Sequence, residues 1–212
     1  MGCNAAITQP NKQNNKIMNR IAQLDPQSAT GKTQELFNGV QAKLGLVPNL
    51  FRVLGNSNAA LEGYLNFSGA LAGGVLSAKV RAQIALAVAE INDCTYCRSA
   101  HTYIGGLVGL SEREITDARK VAATDERTEA ILNLARNIVV QRGELSESEF
   151  KAARAAKLTD AEIVETVANV ALNIFTNYVN HVAQTVVDFP EVKAGQPEAS
   201  AEACTTAGCS CA

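Results

Sequence analysis

From about residue 28 onward, apolar residues recur at three- and four-residue intervals, interrupted by short polar punctuation. Residues so spaced share one face of a helix, so the pattern predicts a succession of amphipathic helices. After Ser28, Leu36, Val40 and Leu44 repeat at this interval up to Gly45. Pro48 opens a short element carrying Leu50, Phe51 and Leu54, and Gly55 closes it. Ser57 caps a helix through Leu61, Leu65 and Ala72 that Gly73 and Gly74 stop. Ser77 caps the next, with Val80, Ile84, Leu86, Val88 and Ile91 on its inner side. Ser111 with Glu114, and Thr159 with Glu162, read as capping boxes, in which hydroxyl and carboxylate each accept from a free backbone N–H. Between them the pattern predicts helices over about 125–142 and 146–156, divided by Gly143, and a last helix over about 160–187 that Pro190 ends. No strand-like alternation and no Asn-Gly hairpin competes. The expected fold class is all-α, a helical bundle forming a single domain over residues 17–190. Residues 1–16, rich in Asn, Gln and Lys, have little to bury and are expected to be disordered. Residues 191–212 read as a flexible tail carrying cysteines.

Composition narrows the picture. An apolar fraction of 47% over 212 residues suffices for one substantial core. Aromatics make up only 5%, and the abundance of alanine suits closely packed helices. The net charge of −2, with both signs interspersed, offers no basic face for nucleic acid or an anionic membrane. The longest apolar runs, such as Ile84 to Ala89, fall far short of the roughly 18 residues that a membrane span needs. The N-terminus lacks the basic-then-apolar pattern of a signal peptide. Ala6 stands where a myristoylation motif wants Ser or Thr. A cytoplasmic protein is expected, and there paired cysteines do redox or metal chemistry more often than they staple a fold.

The chemistry concentrates in Glu90-Ile-Asn-Asp-Cys94-Thr-Tyr-Cys97-Arg-Ser-Ala-His101. Asn92 and Asp93 are good N-cap residues, so a helix is expected to begin at or beside Cys94. On that helix Cys94, Cys97 and His101 share one face, with the sulfurs close enough to join as a disulfide. The positive end of the helix dipole favours a thiolate at Cys94, whereas His101, one turn beyond Cys97, can take a proton from Cys97. The two effects nominate different cysteines. Other readings stay open here. A zinc site would need a fourth ligand from His181 or a tail cysteine, and two buried inert cysteines would need no chemistry at all. Covalent haem attachment fails, because Arg98 stands where His must follow the second cysteine. His181, among Ile174, Val179 and Val182 with Asn177 and Asn180 beside it, reads as a hydrogen-bonded structural histidine or, more sharply, as one that supports the redox site from behind or across a subunit contact, and Tyr96 as a residue that packs or donates near the cysteines. In the tail, Cys204, Cys209 and Cys211 lie among small polar residues, a spacing suited to chelating a soft metal or metalloid or to relaying thiols.

The stretch from Ala85 to Thr102 resembles the core motif of the AhpD-like alkylhydroperoxidase and carboxymuconolactone decarboxylase superfamily. The likeness extends over roughly residues 30–190, including Leu46-Val-Pro-Asn-Leu50 and Asn177-Tyr-Val-Asn-His181. It implies an AhpD-like helical bundle, assembly into homo-oligomers (trimers or multiples of them), and peroxide reduction by the cysteine pair without a cofactor. By position, Cys97 resembles the peroxidatic cysteine, Cys94 its resolving partner and His101 the base of a proton relay. Decarboxylase members lack the cysteine pair, which disfavours decarboxylation. The family's relay glutamate is replaced by Ala82, leaving Glu90 as the nearest carboxylate to serve instead. The implied cycle runs from a Cys97 sulfenic acid to a Cys94–Cys97 disulfide, with a hydroperoxide as substrate. A dithiol protein or small thiol then acts as reductant. The alternative function is a non-enzymatic soft-metal or metalloid-binding thiol protein using the cluster and the tail.

Overall fold

The computed structural model describes residues 20–195 and builds them from helices, with no strand among the described residues. The expected head (residues 1–16) and the tail cysteines Cys204, Cys209 and Cys211 lie outside the described residues. The helices are α1 (Gly31–Leu44), α2 (Asn49–Leu54), α3 (Asn58–Ala72), α4 (Ala78–Ile91), α5 (Thr95–Leu107), α6 (Glu112–Arg119), α7 (Glu126–Gln141), α8 (Glu147–Ala155) and α9 (Asp160–Ala183). Their starts obey local chemistry. The hydroxyls of Ser57, Ser77, Ser111, Ser146 and Thr159 each accept from a first-turn N–H. The boxes expected at Ser111 and Thr159 are complete, and Ser146 with Glu149 makes a third.

α4 is the central element and packs against α5, α6, α7 and α9. Every residue from Ala82 to Ala89 is buried. Small side chains let neighbouring backbones approach on several sides at once, while Ile84, Leu86 and Val88 fill the space between. One cluster joins α4 to α6, α7 and α9 through Leu110, Ile115, Leu132, Ala135 and Val170. A second cluster joins the end of α4 and the start of α5 to α1, α2 and α3 through Phe37, Val40, Leu50, Leu54 and Leu61, and it includes both body cysteines.

Two boundaries differ from the sequence expectation. α1 is capped at Thr30, because Ser28 is held in a turn on Asp25, and its buried residues are Phe37 and Val40, with Leu44 left exposed. α9 stops at Ala183, well before Pro190, with Gln184 in the left-handed region. The chain then runs back over the molecule as a strap. The N–H of Asn49 donates to Asp188 Oδ2 (2.8 Å), and its side chain donates to the Val186 carbonyl (3.0 Å). The Phe189 ring packs edge-on to Tyr96 and beside Tyr103. Beyond Pro190 the Val192 N–H donates to Ser99 Oγ (2.9 Å), and the Gly195 N–H to Glu90 Oε1 (3.3 Å). Tertiary bonds to α2, α4 and α5 thus outbid continued helix, and the docked chain reaches Gly195.

Phe189→Ala removes the ring that ties the strap to α5. Urea unfolding is expected to show a loss of about 2 kcal/mol, near the low end for deleting a large side chain because Phe189 is only half-buried.

Candidate active site

α4 ends at Ile91 and α5 begins at Thr95, so three residues make the turn between them. Asn92 caps α4, and Asp93 takes a positive φ of 49° that reverses the chain. Cys94 is itself the N-cap of α5, where Asn92 or Asp93 might have been expected from propensity, and its Sγ accepts from the Cys97 N–H (3.4 Å). Cys94 and Cys97 are free thiols, each only 2% exposed.

The surroundings shift the two thiols in opposite directions. A hydrogen bond from the Cys97 thiol lowers the Cys94 pKa, aided by the Cys97 and Tyr96 N–H groups and the Arg98 charge, against a burial that raises it. Cys97 is pushed well above the ordinary thiol value, first by donating to Cys94 and then by burial and the Cys94 charge. The carboxamides of Asn180 and Asn177 act on Cys97 in the opposite sense. Of the two thiols, Cys94 therefore gives up its proton the more readily, and Cys97 holds its own the more firmly.

α9 supplies the other wall. Asn180 Nδ2 donates to Cys97 Sγ (3.2 Å). Asn177 Oδ1 accepts from Asn92 Nδ2 (2.9 Å), and the Asn92 carbonyl lies 2.9 Å from His181 Nε2. His181 is thus hydrogen-bonded to the turn that carries the cysteines. Tyr64 on α3 approaches closely enough for the Cys97 charge to help push its pKa up to about 12, burial being the larger cause. Its ring packs against Phe51 and Phe175. Tyr96 points away to the strap side, where its hydroxyl accepts from the Leu50 N–H (3.1 Å).

The residues expected from sequence are placed as follows. Cys94 and Cys97 are brought together. His101 is partly buried on α5, and burial pushes its pKa down to about 4, so it is neutral at ordinary pH and holds no ion pair with a thiolate. Glu90 lies at the end of α4 and pairs with Arg119 (2.9 Å) and with the buried Arg98 (3.8 Å), besides accepting from Gly195. Arg98, 1% exposed, also pairs with Asp93 at 2.9 Å. Ala82 lies in the core of α4, where the resemblance would place a glutamate. Among the described residues no three His, Cys, Asp or Glu side chains converge as a metal site. No helix there is long and apolar enough to cross a membrane. A surface cleft of about 490 Å³ beside α7 and α8 contains neither cysteine.

Asn177 and Asn180 enter the sequence reading only as neighbours of His181, Arg98 only as the residue that excludes haem attachment, and Tyr64 not at all. A signal for the first two was present, because Thr166, Asn169, Asn173, Asn177 and Asn180 recur at helical spacing. A helix that buries a polar stripe needs a reason for it.

The described residues form a helical bundle with a buried Cys-x-x-Cys turn at the start of α5. Residues 58–141 match the model of the carboxymuconolactone decarboxylase family. No curated protein matches the sequence significantly. Among solved structures, the AhpD core of a peroxidase-related protein from Ralstonia eutropha JMP134 superposes with a TM-score of 0.72 at 22% identity, covering 81% of this chain and 93% of that one. A peroxidase-related protein from Silicibacter sp. TM1040 gives 0.69 at 24%, covering 80% and 93%. The debrominase Bmp8, in complex with 2,3,4-tribromopyrrole, gives 0.69 at 17%, covering 80% and 91%. The chain thus shares the helical fold of these structures, and its residues 58–141 are similar to the carboxymuconolactone decarboxylase family.

The depressed pKa of His101 has a consequence for stability. The unfolded chain binds a proton near pH 6.5 and the folded chain only near pH 4, so stability is full above 6.5 and is lost as pH falls through that window. Chemical denaturation between pH 7 and 4 is expected to show a loss on the order of 3 kcal/mol that is absent in His101→Asn.

Proposed function

We propose that the protein is a thiol-dependent peroxidase that reduces hydroperoxides through a Cys94–Cys97 dithiol/disulfide cycle. The observation that supports this most directly is the buried pair of free thiols at the start of α5, with Cys94 the more acidic and a carboxamide donor on the inner sulfur. Such a pair stores a nucleophile, a proton donor and a resolving thiol in one place. The peroxidase-related neighbours agree with this reading.

The proton passes from Cys97 to Cys94, leaving a thiolate at Cys97 that the Asn180 Nδ2 donor stabilises. That thiolate attacks the terminal oxygen of ROOH, the O–O bond breaks, and Cys97 becomes a sulfenic acid. The alkoxide takes the proton from Cys94 and leaves as ROH. The Cys94 thiolate attacks the Cys97 sulfur, forming the disulfide and releasing hydroxide, which solvent protonates. A dithiol protein or small thiol restores the pair by exchange and is itself oxidised to a disulfide. His101, neutral through burial, serves as a passing acceptor in the proton relay and not as an ion-pair partner. Glu90 acts through Arg98, holding the guanidinium whose charge favours the Cys94 thiolate.

The tryptic peptide over residues 82–98 contains both cysteines and reports the cycle by mass. Peroxide is expected to convert it from two thiols to one disulfide in the wild type, and a dithiol to reverse this. Cys97→Ser and Cys94→Ser are each expected to lower peroxide turnover by about a hundredfold or more. Failure of hydrogen peroxide and alkyl hydroperoxides to oxidise the wild-type pair would overturn the reading.

Assembly into a homo-oligomer, a trimer or a multiple of one, belongs to the same proposal. Val164, Val167, Phe175, Tyr178 and Val182 form an exposed apolar stripe along α9, the helix that carries Asn177 and Asn180. Sedimentation is expected to show an oligomer for the wild type and smaller species for Phe175→Glu combined with Val182→Glu.

A further inference from the structure

Thr166, Asn169, Asn173 and Thr176 on the buried face of α9 satisfy themselves locally. Each donates to a carbonyl one turn back on its own helix, at 2.7–3.0 Å. Asn177 and Asn180 break this habit. Both are buried, at 0% and 5% exposure, and both turn away from their own helix toward the thiol turn. The orientation of Asn177 is set by its neighbour: its Oδ1 is occupied by Asn92 Nδ2, so its Nδ2 faces the other way, toward Cys97. That Nδ2 is buried and completes no hydrogen bond. In Asn180 the arrangement is reversed, since Nδ2 is occupied by Cys97 Sγ and the buried Oδ1 has no partner.

One free donor and one free acceptor thus flank the same sulfur. A buried polar group without a partner carries the cost of its lost hydration, so the pair is matched to a ligand that offers one acceptor and one donor together. A thioether, an alkyl chain or a disulfide offers no such combination. A terminal hydroxyl on oxygen does.

We infer that Asn177 and Asn180 form a receptor for the terminal O–H of a hydroperoxide. Asn177 Nδ2 donates to the oxygen that Cys97 attacks, and Asn180 Oδ1 accepts the hydrogen that oxygen carries. This rests on the peroxidase reading and deepens it, because it assigns the site a substrate with an exposed O–O–H end in place of disulfides in general. After attack the same oxygen is the hydroxyl of the Cys97 sulfenic acid, and the two carboxamides hold it while Cys94 approaches the sulfur from its own side. The receptor therefore makes its contacts in the peroxide complex and keeps them until the disulfide forms and hydroxide leaves. The thiol-state bond from Asn180 Nδ2 to Sγ is separate, so both residues touch the reacting atoms and are catalytic in the strict sense.

The test compares two reactions of the same sulfurs in the full-length protein. Oxidation by tert-butyl hydroperoxide and hydrogen peroxide needs the receptor, while alkylation by iodoacetamide needs only the thiolate. Both are followed on the residue 82–98 peptide in the wild type, Asn177→Ala and Asn180→Ala. The ratio of peroxide rate to alkylation rate is expected to fall by about a hundredfold in Asn177→Ala, as for loss of one donor to a reacting oxygen, and by about tenfold in Asn180→Ala, which loses the acceptor of one hydrogen bond. With alkylation read at Cys97 alone, from the fragment ions of the peptide, the ratio removes any change in the Cys97 thiolate population. A ratio within about twofold of the wild type would overturn the receptor, leaving the carboxamides to act on the thiols alone and the peroxidase reading intact. A wild-type pair alkylated by iodoacetamide but inert to both peroxides would overturn the peroxidase reading and the receptor with it. Thermal unfolding monitors each variant, and should Asn177→Ala not fold, Asn180→Ala and Asn180→Ser carry the same ratio test.

Discussion

From Ala82 to Ala89, α4 is enclosed by its neighbours so fully that six of its eight residues are at most 3% exposed. A helix packed in this way has no polar face to give to solvent, so it must be built from small and aliphatic residues, and its backbone must satisfy itself. The other large features follow from that. α6, α7 and α9 pack against it with their own apolar or self-satisfied faces, and α5 folds back on it across a three-residue turn. The turn is tight enough to need a left-handed Asp93. It delivers Cys94 to the open end of α5 and Cys97 into the interior beside α9.

Placing two thiols in this interior makes their ionisation depend on one another. A buried pair of thiolates would repel, and burial by itself disfavours either thiolate. The Cys97 thiol, nearby N–H groups and Arg98 all lower the Cys94 pKa, so the pair is biased toward ionising there first. Arg98 must in turn be neutralised, and Asp93 and Glu90 do so from either end of the turn. The same carboxylate of Glu90 engages Arg119 and the Gly195 N–H, which joins the electrostatics of the thiols to the docking of the strap. A residue first picked out as a stand-in for a relay glutamate is placed as part of the frame of the site.

The alternation of caps, apolar spacing and glycine made the helices legible along the chain. Ser57, Ser77, Ser111 and Thr159 mark starts that depend on contacts within a few residues, and these held. The boundaries that moved were those set by distant partners. α9 ends at Ala183 because the residues after it bond to Asn49, Ser99 and Glu90, and nothing within the helix announces those bonds. The same division runs through the site. Spacing on one helix was enough to join Cys94 with Cys97, whereas Asn177 and Asn180, about 80 residues further on, stood out only as neighbours of His181, with nothing in the chain to say that they face the sulfurs.

The sequence alone thus determined an all-helical chain, the order of its elements and a dithiol at a helix start, because each depends on interactions local to the chain. Tertiary structure decided which thiol ionises more readily, because burial, Arg98 and the proton of a second thiol act through space. It also decided that His101 is neutral, since desolvation depends on everything packed around the ring. And it alone set a free donor and a free acceptor of α9 beside Cys97, a pairing made by the packing of two helices distant in the chain.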